Sequence, residues 1–325
     1  MGFFKMIFKK KISEMEIGDR LSESDYSCVS PTGEFVQFKY VEENKKLTPT
    51  IVEPGIWSIT PESGSLVLYK TEFSKENILS SFSHTEMISR KINSFFSKLD
   101  IYKKYGIEVP KRGMLLYGPA GTGKTSSLKF VANQHVADGK TAVLLWPTDK
   151  VGAHDVKELT KSFEYKGVEK LILIAEDLGG VEVEEVKMES RSSLLALLDN
   201  QEKTFKIPTL ILATTNHPEV FNGNLTNRPG RFSDKIEVGF PNASARKELF
   251  KFYLKEKVTD ELLETITHKK YEEFTPAHIQ EVLLRSELYD LSIEATVEEI
   301  AAEIKKYKTM FKDKRVIGIN EDYYE

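Results

Sequence analysis

The chain has 325 residues, too long for one typical domain, so two or three units, each able to bury a core, are expected. Its 46 basic and 50 acidic residues give a formal charge of −4, which advertises no nucleic-acid partner. The single cysteine, Cys28, excludes an intrachain disulfide, and no Cys/His cluster has zinc-ligand spacing, so a reducing, cytoplasmic setting without a structural metal is the expectation.

In chain order, Met1 to Phe8 is apolar apart from Lys5 and precedes Lys9, Lys10 and Lys11. That run is too short to cross a bilayer, its charges follow rather than precede the apolar stretch of a signal peptide, and Met6 stands where a myristoylation site wants Ser or Thr. A peripheral anchor is weighed against a first strand or a loose tail. No other stretch reaches transmembrane length, and a soluble protein is expected.

Short β-rich runs follow at Glu34 to Phe38, Gly55 to Ile59 and Ser65 to Tyr69, separated by turn formers, which predicts a small β-rich N-terminal domain over residues 1–83. From His84 the period changes, and Met87, Ile88, Ile92, Phe95, Phe96 and Leu99 fall on one helical face. Apolar runs at Gly113 to Tyr117, Thr141 to Trp146, Leu171 to Ala175 and Thr209 to Ala213 alternate with helical stretches. This alternation predicts an α/β unit with a parallel sheet over residues 84–240. After Pro241 only helical patterns appear, at Ala245 to Lys257, Asp260 to His268, Pro276 to Leu288 and Val297 to Met310, so an all-helical third unit is expected over residues 241–325.

Gly118, Pro119, Ala120, Gly121, Thr122, Gly123, Lys124 and Thr125 fit the pattern G-x-x-x-x-G-K-[ST] between a predicted strand and a predicted helix, with Ser126 next along that helix. Glycines let backbone N–H groups converge on phosphates, Lys124 reaches the outer phosphates, and the Thr125 hydroxyl is suited to magnesium. The apolar run 171–175 ends in Glu176 and Asp177. Unpaired charges at a buried strand tip are costly, and a metal with a polarised water is the natural partner. In enzymes that carry this phosphate-loop pattern the usual order is Asp then Glu. With the order reversed, Glu176 takes the magnesium position and Asp177 the base that acts on the attacking water. Asn216, after the run 209–213, is placed to orient that water. Arg228 and Arg231 flank a rigid Pro229-Gly230 turn, and too few residues separate them from the strand expected at Lys235 to Val238 for them to fold back onto Lys124's site. They are read as arginines acting in trans.

GPAGTGKT, LILIAED, LILATTN and RPGRF, in that order and followed by helices, resemble the classical AAA ATPase family. The resemblance covers roughly His84 to Leu288. TTNHPE…NRPGR and the Glu-Asp order are more similar to the branch of the mitochondrial Rieske-protein translocase, without the membrane helix that precedes its ATPase domain. It implies a three-layer P-loop NTPase core with a helical lid, ATP and magnesium as ligands, and Lys124 and Thr125 as phosphate and magnesium contacts. Glu176 and Asp177 become the acid pair, Asn216 the first sensor, and Arg228 and Arg231 fingers serving the adjacent subunit of a ring, usually a hexamer. Ala120 replaces the commoner proline, which neither side chain's role forbids. Trp146 to Gly152 lacks the aromatic-Gly pore loop of many relatives, which weighs against threading an unfolded polypeptide, and no second-sensor arginine stands near Thr275 to His278.

The function expected is ATP hydrolysis coupled to remodelling or moving a macromolecular client, with a protein as the expected client. The alternatives are a nucleotide-gated scaffold or assembly factor with slow hydrolysis, and a nucleic-acid loader or motor, which would need a basic lining that the charge does not advertise.

Overall fold

The computed structural model describes residues 7–8, 27–29, 35–41, 46–47, 50–62, 65–73, 83–178, 197–198, 205–217 and 231–314. The expected anchor at the N-terminus therefore lies outside the described residues except for Ile7 and Phe8. Arg228 lies wholly outside them. Among the described residues no helix is long and apolar enough to cross a membrane.

The strands are β1 (Ile7–Phe8), β2 (Ser27–Val29), β3 (Phe35–Val41), β4 (Lys46–Leu47), β5 (Thr50–Val52), β6 (Gly55–Glu62) and β7 (Ser65–Thr71). They continue with β8 (Lys111–Tyr117), β9 (Thr141–Trp146), β10 (Phe163–Tyr165), β11 (Lys170–Ala175), β12 (Thr209–Thr215) and β13 (Phe232–Glu237). Two compact units divide the chain: Met1–Gly118 with Lys124–Glu237, and Pro119–Gly123 with Val238–Glu325.

In the first unit one 11-stranded sheet runs β1-β2-β3-β7-β6-β9-β11-β12-β8-β13, with β4 paired to β3. From β6 to β13 the neighbours are parallel. Leu171 to Ala175 each show 0% exposure, so both faces of β11 are covered, as a parallel sheet requires. Alternate residues Leu171 and Leu173 share a core with Val156 and Leu159 of the helix Ala153–Ser162. The helix Lys124–Val136 packs on β6, β9 and β12 and against the helix Ser83–Ser97. In the latter, Ile88, Ile92, Phe95 and Phe96 are buried, the face that the 3.6 period marks out. This is a three-layer α/β fold of the P-loop NTPase type.

The boundary expected between residues 83 and 84 is not a break in this sheet. β6 lies parallel to β9, with Gly55 opposite Ala142 and Ser58 opposite Leu145, and β7 and β3 continue the sheet antiparallel. The β-rich segment thus covers the backbone groups on the open side of β9, where a separate domain had been expected. Trp57, Ile59, Leu66 and Leu68 enter the same core as Leu144 and Leu171.

β13 begins at Phe232, earlier than the expected Lys235; the sequence hid this start because one of its inward positions is a carboxylate. Asp234 faces inward and is held by Arg112 Nε at 2.6 Å and by the Lys91 ammonium. At the pairing of β13 with β8, a Cβ on Gly113 would stand 2.6 Å from the Arg231 carbonyl oxygen, so only glycine permits this approach.

The second unit is helical, with Ala243–Leu254, Asp260–Thr265, Pro276–Leu288 and Ile293–Lys314. Asn242, Thr259 and Thr275 each cap a helix by accepting a backbone N–H, and Thr275 forms a capping box with His278 ahead of Pro276. Phe250, Phe274, Ile279, Val282 and Val297 are buried at its core. Arg285 ties two helices through a two-pronged pair with Glu303 at 2.8 and 3.0 Å.

Candidate functional site

The C-terminal ends of β8, β11 and β12 converge on the start of the helix Lys124–Val136. Lys124 is 5% exposed and donates from Nζ to the Gly118 carbonyl at 2.9 Å. Burial pushes its ammonium below the usual lysine range, and the Asp177 charge opposes that shift. Gly121 and Gly123 adopt φ of 75° and 90°, left-handed backbone that a side chain would strain. Within the helical unit, Gly121's carbonyl accepts from Ala277 N–H at 3.4 Å, and a Cβ on Gly121 would stand 2.9 Å from Thr275 Oγ1. The Thr122 hydroxyl donates to the Pro119 carbonyl at 2.9 Å, while Ala120 is exposed and Ser126 half-buried.

The turn leaving β11 carries both acids, and at Asp177 the backbone is left-handed, with φ 48°. Aspartate tolerates that region better than glutamate, which gives the reversed acid order a backbone reason. The Asp177 amide donates to Thr214 Oγ1 at 3.0 Å, and Asn216 Nδ2 donates to Asp177 Oδ1 at 2.9 Å. Thr125 Oγ1 lies 3.5 Å from the same Thr214 oxygen. The Thr215 hydroxyl donates to the Leu178 carbonyl at 2.6 Å, and its own carbonyl accepts from Gly118 N–H at 3.3 Å. Two threonines at the tip of β12 thereby tie the acid turn to the start of the glycine-rich loop. Reading the sequence for candidate residues passed over both, although polar residues ending a fully apolar strand are the signal that marks them.

Glu176 is paired with Lys129, whose Nζ is 2.9 Å from Oε1. Nothing in the sequence joins these two residues. Arg231, read as an arginine acting in trans, is 6% exposed in the single chain. Phe232 starts β13 opposite Gly113, with the Arg231 backbone carbonyl against that glycine. Trp146 is also buried, and its Nε1–H donates to the Val151 carbonyl at 2.7 Å, closing residues 147–151 into a tight turn.

Magnesium holds few protein ligands, characteristically one or two carboxylates alongside phosphate and water oxygens. Among the described residues no trio of His, Cys, Asp or Glu gathers as a protein-only metal cage. Thr214 Oγ1 contacts both the Thr125 hydroxyl and the Asp177 backbone amide, so the Thr125 hydroxyl and the turn that carries the Glu176 and Asp177 carboxylates bring hard oxygen donors to the strand tips near the buried Lys124. That donor set fits magnesium carried in with a nucleoside triphosphate.

The family described as "ATPase family associated with various cellular activities (AAA)" matches residues 114–240. These residues are similar to an AAA ATPase domain. The Cell division cycle protein 48 homolog of Archaeoglobus fulgidus is 35% identical over 222 residues, covering 63% of this chain and 29% of that protein. The Proteasome-activating nucleotidase of Methanothermobacter thermautotrophicus is 31% identical over 220 residues, 63% of this chain and 53% of that protein. The ATPase family gene 2 protein of Schizosaccharomyces pombe is 30% identical over 209 residues, 59% of this chain and 25% of that protein. The chain thus spans between a quarter and about half of the length of these relatives. The matched residues take in most of β8 and all of β9, β11, β12 and β13, and the β1–β7 extension lies ahead of them.

Proposed function

We propose that the chain binds and hydrolyses ATP with magnesium, as a subunit of a cytoplasmic homo-oligomeric ring, a hexamer, and that the cycle remodels or moves a macromolecular client, a protein. The observation that carries the chemistry is the Asn216–Asp177 hydrogen bond of 2.9 Å at the strand tips where the buried Lys124 begins its helix. The names of two relatives, a nucleotidase that activates a proteasome and a member of an ATPase family, support nucleotide hydrolysis and a protein-processing setting. The order Glu176-Asp177 leads us to place the chain near the Rieske-protein translocase branch.

In this reading Gly118 to Gly123 present backbone N–H groups to the phosphates, and Lys124 turns from the Gly118 carbonyl to the outer phosphate oxygens. Thr125 and Glu176 hold magnesium, which when bound neutralises charge on the phosphate oxygens. Asp177, oriented by Asn216, takes a proton from water as the water oxygen bonds to the γ-phosphorus and the bond to the ADP oxygen breaks. Arg228 supplies the trans charge for the neighbouring subunit, and the buried Arg231 serves the fold of its own subunit.

The buried Trp146 favours a client moved as a folded body, or an assembly factor that hydrolyses slowly, over a threaded polypeptide, since residues 147–152 offer no aromatic grip. A nucleic-acid loader is the remaining alternative, and salt-sensitive DNA binding would revive it. Phosphate release from magnesium ATP by the purified chain tests the reading, with Lys124→Ala as the control that should neither bind nor hydrolyse. Binding without release would favour the scaffold. No nucleotide binding by the wild-type chain would refute both.

A further inference from the structure

Lys129 follows Lys124 along the helix Lys124–Val136, and its ammonium lies 2.9 Å from the Glu176 carboxylate. The two side chains are 24% and 35% exposed, and the Lys129 Nζ also stands 6.0 Å from the centroid of the Phe73 ring, just beyond β7. The aromatic face favours the ammonium in that position. Both side chains are partly exposed to water, so the ion pair is weak enough to open and close.

One carboxylate therefore faces two cations, the lysine that the structure shows and the magnesium that the proposed function assigns to Glu176. Both cannot have full use of it. We infer that Lys129 is a positioning residue that holds Glu176 as its counter-ion between turnovers and yields it to magnesium, thereby setting the magnesium concentration at which the site loads. The inference rests on the reading of Glu176 as a magnesium-holding residue. It adds a residue that no motif marks, and it gives the N-terminal extension a physical link to the acid turn through Phe73. A fixed positive charge beside a divalent ion opposes its binding. Removing that charge should lower the magnesium required by roughly five- to tenfold, the scale expected for a single charge a few ångströms away in a hydrated site.

The test is equilibrium binding of a fluorescent, non-hydrolysable ATP analogue titrated with magnesium, for the wild-type chain, Lys129→Met and Lys129→Arg. Half-saturating magnesium should fall roughly five- to tenfold in Lys129→Met and stay near wild type in Lys129→Arg, which keeps the charge. Lys129→Gln serves the same purpose if Lys129→Met does not fold. An unchanged or raised magnesium requirement in the neutral variant, with a wild-type chain that responds to magnesium, overturns this inference alone. If magnesium has no effect on analogue binding by the wild-type chain, the assignment of Glu176 falls with it.

Discussion

The Asn216 amide donates to an Asp177 carboxylate oxygen at 2.9 Å, so a residue just past β12 orients the acid just past β11. The bond joins two neighbouring parallel strands at their tips, where ligands collect in open α/β sheets. Asn216→Ala should leave nucleotide affinity within about twofold and lower kcat by about ten- to a hundredfold, because a misaligned base loses proton-transfer geometry rather than binding. Comparison of kcat with the dissociation constant checks this, and a loss confined to affinity would refute it.

Asp177→Glu restores the commoner second acid, yet it should not restore or improve turnover. The left-handed backbone at φ 48° disfavours the longer residue by about 1 kcal/mol, and the extra methylene moves the carboxylate away from Asn216. The expected outcome is a lower kcat together with a melting temperature reduced by a few degrees.

Asp234 predicts an acid limb. Burial pushes its carboxyl up, but hydrogen bonds from Arg112 and Lys91 and their charges outweigh that and hold it below its ordinary value of 3.8. A carboxyl whose pKa is lower in the folded chain adds stability above its unfolded value and loses it as pH falls through the folded value. Asp234→Asn should thus cost about 1–3 kcal/mol at pH 7, since two partly buried cations lose their partner. The wild-type advantage should shrink below pH 3.8, and denaturant titrations at neutral and acid pH check the convergence.

The two arginines should separate. Arg231→Ala should destabilise the chain by about 1–3 kcal/mol through loss of a buried, partnered cation. Arg228→Ala should preserve stability and ATP binding but lower turnover, since a trans arginine contributes roughly 10³ to 10⁵ in related NTPases. Mixing Arg228→Ala with Lys124→Ala should recover turnover if subunits exchange, because one interface then joins an intact loop to an intact arginine.

What could be read in the sequence follows from the physics of each element. Leu171 to Ala175 is an unbroken apolar run because both faces of β11 are buried, and Thr275-Pro276 announces a helix start through its cap. β6 was equally visible as a strand, but its pairing with β9 was not, since periodicity reports a strand's faces and not its neighbours. Asp234 hid the start of β13 because an inward carboxylate reads as polar until Arg112 and Lys91 are seen around it. Arg231 was read only as acting in trans, and no local pattern announces its burial at the start of β13. The Lys129–Glu176 pair joins a helix to a strand end and leaves no local pattern at all.

With Asp177 as the base and Glu176 as the magnesium-holding acid of an ATP hydrolase, the two acids must differ in their response to magnesium. The most direct test is steady-state phosphate release by Asp177→Asn, measured beside Glu176→Gln over a range of magnesium concentrations. Asparagine keeps the tolerance for left-handed backbone, so that variant isolates the charge. Asp177→Asn should bind ATP as the wild-type chain does and release phosphate about 10² to 10⁴ times more slowly at every magnesium concentration, whereas Glu176→Gln should recover activity as magnesium is raised. Wild-type turnover by Asp177→Asn, or the two behaviours exchanged, would overturn these roles for the two acids.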